Sequence, residues 1–262
     1  IVYSRDELKQ YEMQVSKLFS DDRRLRYFIG DVRDAEAVHE ALRRFERPPE
    51  LCIHLASLIL VGESVAEPEW YHDVNTVGTQ VVVEACMDIG VEAVMLASSA
   101  AVLGLEQDNP EALDEDATIG PESPYGLSKL EAERTLDAAA QTGRISGTSL
   151  RLFNVAGAAH GCAELHDPES HLIPLALQAL RGDREHLAIF GLDFDTPDGT
   201  CTRDYVHVLD VCEAFLRAGQ RCLQRHRSGE VEHEVFHVGS GRGHSVLDVV
   251  QVCAEVVGRP VP

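Results

Sequence analysis

The stretch SPYGLSK at residues 123–129 begins a segment of helical periodicity, Pro124–Ala140. An apolar segment, Ala93–Ala97, precedes it and predicts a buried strand, which runs directly into the hydroxyl-bearing pair Ser98-Ser99. A strand that leads through a loop into a helix is the repeating unit of a parallel α/β sheet, and functional sites lie at the carboxyl ends of its strands. This stretch therefore predicts an α/β protein with a site where Ser99 meets the start of the helix.

The same alternation continues in both directions along the chain. The predicted strands are Ile1–Tyr3, Leu25–Ile29, Leu51–Leu55, Ala93–Ala97, Thr148–Leu152, Leu187–Phe190 and Val235–Val238. The predicted helices are Arg5–Leu18, Ala35–Phe45, Glu69–Ile89, Pro124–Ala140, Leu172–Arg181, Val208–Gln224 and Val246–Val257. This pattern predicts a doubly wound parallel sheet of the Rossmann-like α/β class. Because the regular alternation ends near residue 155, we expect a dinucleotide-binding domain over residues 1–155 and a smaller substrate lobe over residues 156–262, interleaved with the sheet.

Composition narrows the function classes. The 262 residues carry 23 Lys and Arg against 44 Asp and Glu, a formal net charge of −21, which argues against nucleic acid or an anionic membrane as partner. The seven cysteines are scattered and never paired as CxxC, so we interpret them as reduced thiols of a cytoplasmic protein. None of the apolar runs is long enough to span a bilayer, and no metal site is predicted.

Tyr125 and Lys129 stand four residues apart, which places both side chains on one face of the predicted helix. A phenol is a poor base near neutral pH because its reference pKa is about 10. A nearby ammonium group stabilises the phenolate and lowers that pKa, so Tyr125 is predicted to act as an acid and base. Ser99, at the end of the preceding strand, is expected to hydrogen-bond the hydroxyl that Tyr125 deprotonates.

Further motifs lie in order along the chain. They are VGES at 61–64, NTVGT at 75–79, RLFNVAGA at 151–158, SHLIPL at 170–175 and TPDGTCTRDYVHV at 196–208. Together with Ser99 and SPYGLSK, they resemble the UDP-glucose 4-epimerase family of the extended short-chain dehydrogenase/reductase superfamily. The resemblance extends from about residue 51 to Pro262.

The resemblance implies an NAD-dependent epimerisation of a UDP-sugar at carbon 4 through a 4-keto intermediate. It implies three catalytic residues, Ser99, Tyr125 and Lys129. The implied cofactor-binding residues are Asp31, Val32, Leu55, Ala56, Asn75 and Phe153, together with Tyr125 and Lys129. The implied substrate-binding residues are Ser99, Asn154, His171, Leu172, Phe190 and Arg203, with Arg203 at the phosphates of the UDP-sugar, a role that suits its planar fork of donors.

The family's two-fold dimer pairs the helices that correspond to Glu69–Ile89 and Pro124–Ala140, so a homodimer with a four-helix contact is implied. Both predicted helices carry apolar residues beyond what one core face requires. Those residues include Val81, Val82, Val83 and Leu136.

The first fifty residues differ in character. IVYSRDELKQ at 1–10 and FIGDVRD at 28–34 look more like inverting UDP-N-acetylglucosamine 4,6-dehydratases, a related family with the same fold. Two alternatives to epimerisation therefore stay open. One is nucleotide-sugar 4,6-dehydration, and the other is a truncated relative without turnover, because the superfamily's first strand and Gly-rich phosphate turn are expected upstream of Ile1. GSGRG at 239–243 has the wrong glycine spacing to replace that turn.

The residues after the first predicted strand do not favour NAD or NADP alone. The residue that follows the predicted strand Ile1–Tyr3 normally contacts the adenosine ribose, and a carboxylate there selects NAD. This chain has Ser4-Arg5 at that point, which suits a 2′-phosphate, followed at once by Asp6. We expect NAD use with unusual tolerance for NADP.

Overall fold

A computed structural model describes residues 1–262 except 17–18, 21, 23, 45, 105–112, 164–165 and 167. The chain has the parallel-sheet α/β, Rossmann-like fold that the alternation predicts. The described strands are β1 Val2–Ser4, β2 Tyr27–Ile29, β3 Leu51–His54, β4 Ala93–Ser99, β5 Ser146–Leu152, β6 Asn154–Ala156, β7 Thr202–His207, β8 His233–Val238 and β9 Gly243–Ser245. The described α-helices are α1 Glu7–Val15, α2 Ala35–Arg43, α3 Val61–Ala66, α4 Pro68–Tyr71, α5 Gly78–Ile89, α6 Pro124–Gln141, α7 Leu172–Arg181, α8 Val208–Arg227 and α9 Val246–Val257.

The described strands form three sheets. β1 and β2 pair in parallel, with Val2 opposite Tyr27. The largest sheet has the order β3-β4-β5-β8, and its β3–β4 pair is parallel with Leu51 opposite Ala93. In the third sheet, β7 lies between β6, to which it is parallel, and β9, to which it is antiparallel.

The chain divides into two compact units. One comprises residues 1–151 and 215–237, and its core joins α2, α5 and α6 to β4 through residues such as Val38, Val83, Leu96 and Leu136. The other comprises residues 152–214 and 238–262, where α7 contacts α9 through Ala176, Leu180, Val249 and Cys253. The predicted division of roles at residue 155 stays a prediction. No helix in the described part of the chain is long and apolar enough to cross a membrane.

The predicted helix Glu69–Ile89 is interrupted. α4 leads into a π-helical segment, His72–Val77, before α5 begins at Gly78. The Thr79 hydroxyl donates to the Asn75 carbonyl at 2.5 Å, while the Asn75 side chain is drawn away to Leu58, outside the helix. Side-chain hydrogen bonds of this kind compete with the regular helical ladder. The interruption therefore lies where polar side chains capture backbone groups.

Two other sequence expectations differ from the structure. The apolar segment Leu187–Phe190 is not a strand, and Phe190 is 86% exposed. The sequence analysis also missed α3 and the strands β6, β7 and β9. In addition, Lys17, Leu18 and Phe45, which end two predicted helices, lie outside the described residues.

The sequence analysis expected some apolar residues of the two helices implied in the dimer to exceed what the core requires. In the structure these residues belong to the core of the first unit. Val82, Val83 and Leu136 are buried, and Val81 is partly buried against the same cluster. The premise that these side chains remain for a partner subunit is wrong, because the helices use them to cover β4 and to contact one another.

Candidate functional site

Ser99, Tyr125 and Lys129 are brought together at the carboxyl end of β4. Ser99 is the last residue of that strand, and its Oγ accepts a hydrogen bond from the Ala101 amide at 3.2 Å. Ser123 caps α6 by accepting from the Gly126 amide at 3.1 Å, which starts the helix one residue before Tyr125. The i, i+4 spacing then places Lys129 one turn further along the helix.

Gly126 allows the helix to approach the strand end. A Cβ atom at this position would lie 2.2 Å from the Ala101 carbonyl oxygen, which belongs to the short 3₁₀ turn Ala100–Val102 that follows Ser99. A backbone approach this close is possible only where the residue has no side chain. The first turn of α6 is therefore fitted directly against the segment that carries Ser99.

The three side chains form a compact arrangement. The Ser99 hydroxyl neighbours the Tyr125 side chain and acts on the pKa of its phenol. The Lys129 Nζ lies 5.9 Å from the centroid of the Tyr125 ring and donates to the Ala97 carbonyl at 2.9 Å. The Tyr71 ring meets the Tyr125 ring edge to face, with centroids 6.4 Å apart.

Burial is the main influence on the pKa values of Tyr125 and Lys129. Burial raises the pKa of Tyr125, and the neighbouring Ser99 hydroxyl opposes that rise. Burial lowers the pKa of Lys129 to about 8, against a smaller opposing effect of the Glu133 carboxylate. The sequence argument expected a lowered pKa for Tyr125, and in this structure the cost of burying the phenolate reverses that direction.

Asn75 is buried and saturated with hydrogen bonds. Its Oδ1 accepts from the Leu58 amide at 2.7 Å and from the Ser57 hydroxyl at 3.0 Å. Its Nδ2 donates to the Leu58 carbonyl and to the Ser128 Oγ, both at 3.0 Å. The Ser128 hydroxyl in turn donates to the Tyr125 carbonyl at 2.8 Å. The side chain thus ties the π-helical segment and the loop after β3 to the first turn of α6.

The other expected cofactor residues of this unit follow strands β2 and β3. Asp31 accepts hydrogen bonds from the Arg33 amide and guanidinium at 2.9–3.0 Å, and these bonds lower the pKa of its carboxyl to about 2. The Val32 side chain is buried in the core. Leu55 and Ala56 follow β3 directly and are exposed, so they present an apolar surface beyond the end of the strand.

Apart from Ser99, the expected substrate residues lie in the second unit, as does Phe153, the remaining expected cofactor residue. The Asn154 Nδ2 donates to the Asp204 carbonyl at 3.1 Å. His171 precedes α7 and its Nδ1 is 2.7 Å from the Glu169 carboxylate, while Leu172 begins the helix. The Arg203 guanidinium is exposed and donates to the Thr202 carbonyl at 2.9 Å.

The glycine-rich segment at 239–243 has a structural partner in the second unit. The Asp204 carboxylate accepts from the amides of Ser240 and Gly241, both at 2.8 Å, and from the Ser240 hydroxyl at 2.6 Å. A carboxylate of the same unit therefore occupies the amides that a phosphate would need. This agrees with the glycine spacing, which argued against a replacement phosphate turn at residues 239–243.

Comparison with known proteins identifies the family. The model of the NAD dependent epimerase/dehydratase family matches residues 6–239. The chain belongs to this family. It is similar to the UDP-glucose 4-epimerases of Streptomyces lividans and Corynebacterium glutamicum, each 40% identical over 90% of this chain and 69% and 68% of the relative, respectively.

Solved structures of UDP-glucose 4-epimerases are similar to this chain over the same 90% of its length. The UDP-glucose 4-epimerase of Brucella ovis, in complex with NAD, is 35% identical with a TM-score of 0.81 over 90% of this chain and 70% of that one. The enzyme of Bifidobacterium longum, in complex with NAD⁺ and UDP, is 30% identical with a TM-score of 0.81 over 90% of this chain and 69% of that one.

The sequence analysis missed a buried ionic cluster next to the site, formed by Glu133, Arg151 and Ser98. The Glu133 carboxylate makes a bidentate salt bridge with Arg151, with Nε at 3.0 Å and the terminal nitrogen at 2.8 Å, and accepts from the Ser98 hydroxyl at 2.5 Å. Buried charges of this kind are rare unless they are paired. Glu133 lies four residues after Lys129, and that spacing was the available signal.

Proposed function

We propose that the chain catalyses the NAD-dependent epimerisation of a UDP-sugar at carbon 4, interconverting UDP-glucose and UDP-galactose through a 4-keto sugar. The observation that carries this proposal is the Ser99–Tyr125–Lys129 arrangement at the end of β4 in a member of the epimerase/dehydratase family. The relatives named above, which share about two fifths of its residues, are UDP-glucose 4-epimerases.

The residues present suit a bound dinucleotide. A buried ammonium and a phenol stand at the carboxyl edge of the sheet, Asp31 follows β2, and the exposed apolar Leu55 follows β3. These groups match the hydroxyls and flat rings of such a cofactor. Asn75 would act by holding the site in shape, since its own hydrogen-bonding groups are used within the protein. When bound, NAD supplies the acceptance and return of a hydride at carbon 4.

The protein's own groups would move the proton. Tyr125 accepts the proton of the sugar's 4-hydroxyl and later returns it, while the Ser99 hydroxyl orients both oxygens. To accept that proton Tyr125 must itself be ionised, which its burial opposes. The Lys129 ammonium is the neighbouring positive charge that favours the phenolate. Asn154, His171, Leu172, Phe190 and Arg203 are proposed to contact the UDP-sugar, and Phe153 the cofactor.

The segment after β4 favours epimerisation over 4,6-dehydration. Expulsion of water from carbons 5 and 6 needs a further acid and base, and Ala100, Ala101, Val102 and Leu103 carry none. To test this, the purified protein is incubated with UDP-galactose and NAD, and the products are analysed by proton NMR and mass spectrometry. Epimerisation gives UDP-glucose of unchanged mass. Dehydration gives a 4-keto-6-deoxy product lighter by one water, and an unchanged substrate indicates a relative without turnover.

Four further proposals concern the setting of this activity. The protein is proposed to act as a homodimer, with a cofactor domain over residues 1–155 and a substrate lobe over residues 156–262. It is proposed to work in the cytoplasm, which suits the free state of all seven cysteines. NADP is proposed to be tolerated in place of NAD because Arg5 follows β1.

A further inference from the structure

Helix α6 carries a third ionisable residue on the face that holds Tyr125 and Lys129. Glu133 follows Lys129 by four residues, as Lys129 follows Tyr125, so the three side chains form one stripe along the helix. Lys129 and Glu133 are buried, with residue exposures of 5% and 4%. An acidic and a basic group therefore neighbour each other on one buried face, one turn apart.

The Glu133 carboxylate is fixed by groups from two strands. Arg151 of β5 holds both of its oxygens in a planar fork, and Ser98 of β4 donates a further hydrogen bond. A guanidinium fork stabilises the charged form of a carboxylate and defines its position. Ser98 also precedes Ser99, so the same strand end supports the carboxylate and the reacting side chains.

The groups that face Lys129 come from three elements. From β4, the Ala97 carbonyl accepts a hydrogen bond from Nζ at 2.9 Å. From α6 come the Tyr125 ring, 5.9 Å away, and the Glu133 carboxylate. From β3 comes His54, whose pKa is lowered to about 4 by burial and by the charge of Lys129, so it is neutral near pH 7. Glu133 thus supplies a negative charge to a lysine whose burial favours loss of its proton.

We propose that Glu133 is a positioning residue whose clamped carboxylate keeps the buried Lys129 in its ammonium form beside Tyr125. Burial alone moves Lys129 toward the neutral amine, which would give Tyr125 no electrostatic help. Glu133 opposes that change, in agreement with the direction of its effect on the pKa of Lys129. Arg151 contributes by holding the carboxylate in place.

The charge of Lys129 can be titrated directly, because the chain contains only three lysines, Lys9, Lys17 and Lys129. Protein labelled with ¹³C at the lysine ε-carbons is titrated by NMR in the absence of substrate, and the Lys129 signal is the one lost in Lys129→Arg. The wild-type midpoint is expected near 8. Glu133→Gln is expected to lower it by about 1 pH unit.

Two further variants separate the lost carboxylate from other effects. Glu133→Gln/Arg151→Met removes both charges of the pair, which protects the fold from an unpaired buried arginine, and is also expected to lower the midpoint. Asp137→Asn removes a half-exposed acid one turn further along the same stripe and is expected to leave the midpoint unchanged.

Two results would overturn the proposal. One is an unchanged Lys129 midpoint in folded Glu133→Gln. The other is a return to the wild-type midpoint in the double variant, which would assign the shift to unpaired Arg151. The proposal rests on the roles assigned to Tyr125 and Lys129, but the titration involves no turnover. A failed epimerase assay and a failed titration are therefore separate results.

Discussion

At the scale of single residues, the proposed reaction depends most on the hydroxyl group of Tyr125. Tyr125→Phe removes one hydroxyl from a ring that stays packed against Tyr71. We expect turnover to fall by roughly a hundredfold or more, because general acid–base catalysis contributes about that much, while the affinity for UDP-sugar is retained. Steady-state kinetics and calorimetry measure the two quantities. Tyr11→Phe, on the exposed side of α1, is the control, and an undiminished rate in Tyr125→Phe would remove that residue from its role.

Lys129 is expected to serve catalysis at a cost in stability. Its pKa in the folded protein is about 8, against 10.5 for an unperturbed lysine. Below pH 8 both the folded and unfolded states hold the proton, and the folded state bears the full cost of a buried charge. As the pH rises from 8 to 10.5 the folded state loses its proton first, so that cost is progressively relieved.

Lys129→Met is therefore expected to stabilise the fold near neutral pH while abolishing turnover. The free energy of unfolding should rise by about 1–3 kcal/mol at pH 7, less whatever the lost hydrogen bond to Ala97 contributed. The gain should disappear as the pH approaches 10.5. Urea unfolding at both pH values measures it, with Lys9→Met, at an exposed lysine, as the control. A variant less stable than wild type at pH 7 would contradict this explanation of the lowered pKa.

Arg5 is the residue on which tolerance for NADP depends. Its guanidinium is half exposed and lies 3.4 Å from the Asp31 carboxylate. Asp6, the acid that would instead favour NAD, caps α1 by accepting from the Lys9 amide at 2.8 Å. Arg5→Ala is expected to weaken NADP binding about tenfold and NAD binding little, as for loss of one charged contact to phosphate. Paired binding curves measure this, with exposed Arg24→Ala as control, and an unchanged NADP-to-NAD ratio would exclude Arg5.

At the scale of elements, the site depends on how closely α6 approaches the end of β4. Gly126→Ala would place a methyl group 2.2 Å from the Ala101 carbonyl, so the helix start or the 3₁₀ turn must move. We expect turnover to fall about tenfold or more, because small displacements of reacting groups are costly. Gly62→Ala in α3 is the matched control, since its new methyl group meets no atom within 4 Å. Equal activities in the two variants would show that the close approach is not needed.

The accuracy of the sequence analysis also varied by element. The bounds of α7 and α9 were predicted to the residue, because Gly182 and Gly258 end these helices in the left-handed conformation and Ser245 caps the second. The missed strands β6 and β9 have three residues each, too few for alternation to show. The run at 187–190 has a strand-like composition, yet composition does not supply a partner strand.

In the functional site, too, local features could be predicted from the sequence and tertiary contacts could not. Ser99, Tyr125 and Lys129 could be grouped from the sequence because a strand end and an i, i+4 spacing are local features. The bond between Glu133 and Arg151 joins a helix to the next strand, and its partners are fixed by tertiary packing rather than by spacing. The direction of the Tyr125 pKa was missed for a similar reason, because burial is a property of the fold.

At the scale of the whole molecule, the open question is where a second copy would bind. Since Val82, Val83 and Leu136 are buried within one subunit, other residues of the same helices must form any dimer contact. Leu127 and Trp70 are exposed there, at 45% and 37%. Leu127 borders a concavity of about 470 Å³ between the start of α6 and the segment around α4, whose lining includes Pro68 and Pro124. This apolar surface is the best remaining candidate for a two-fold contact.

We expect the wild-type protein to be a homodimer at tens of micromolar and Leu127→Lys to be a monomer, because the substitution would bury an ammonium group at the contact. Light scattering coupled to gel filtration measures both masses. Val256→Lys, at an exposed apolar residue of α9, adds the same charge elsewhere and should remain dimeric. Dissociation by Val256→Lys but not by Leu127→Lys would move the contact to α9. A wild-type protein that is monomeric at tens of micromolar would refute the homodimer and the contact around Leu127.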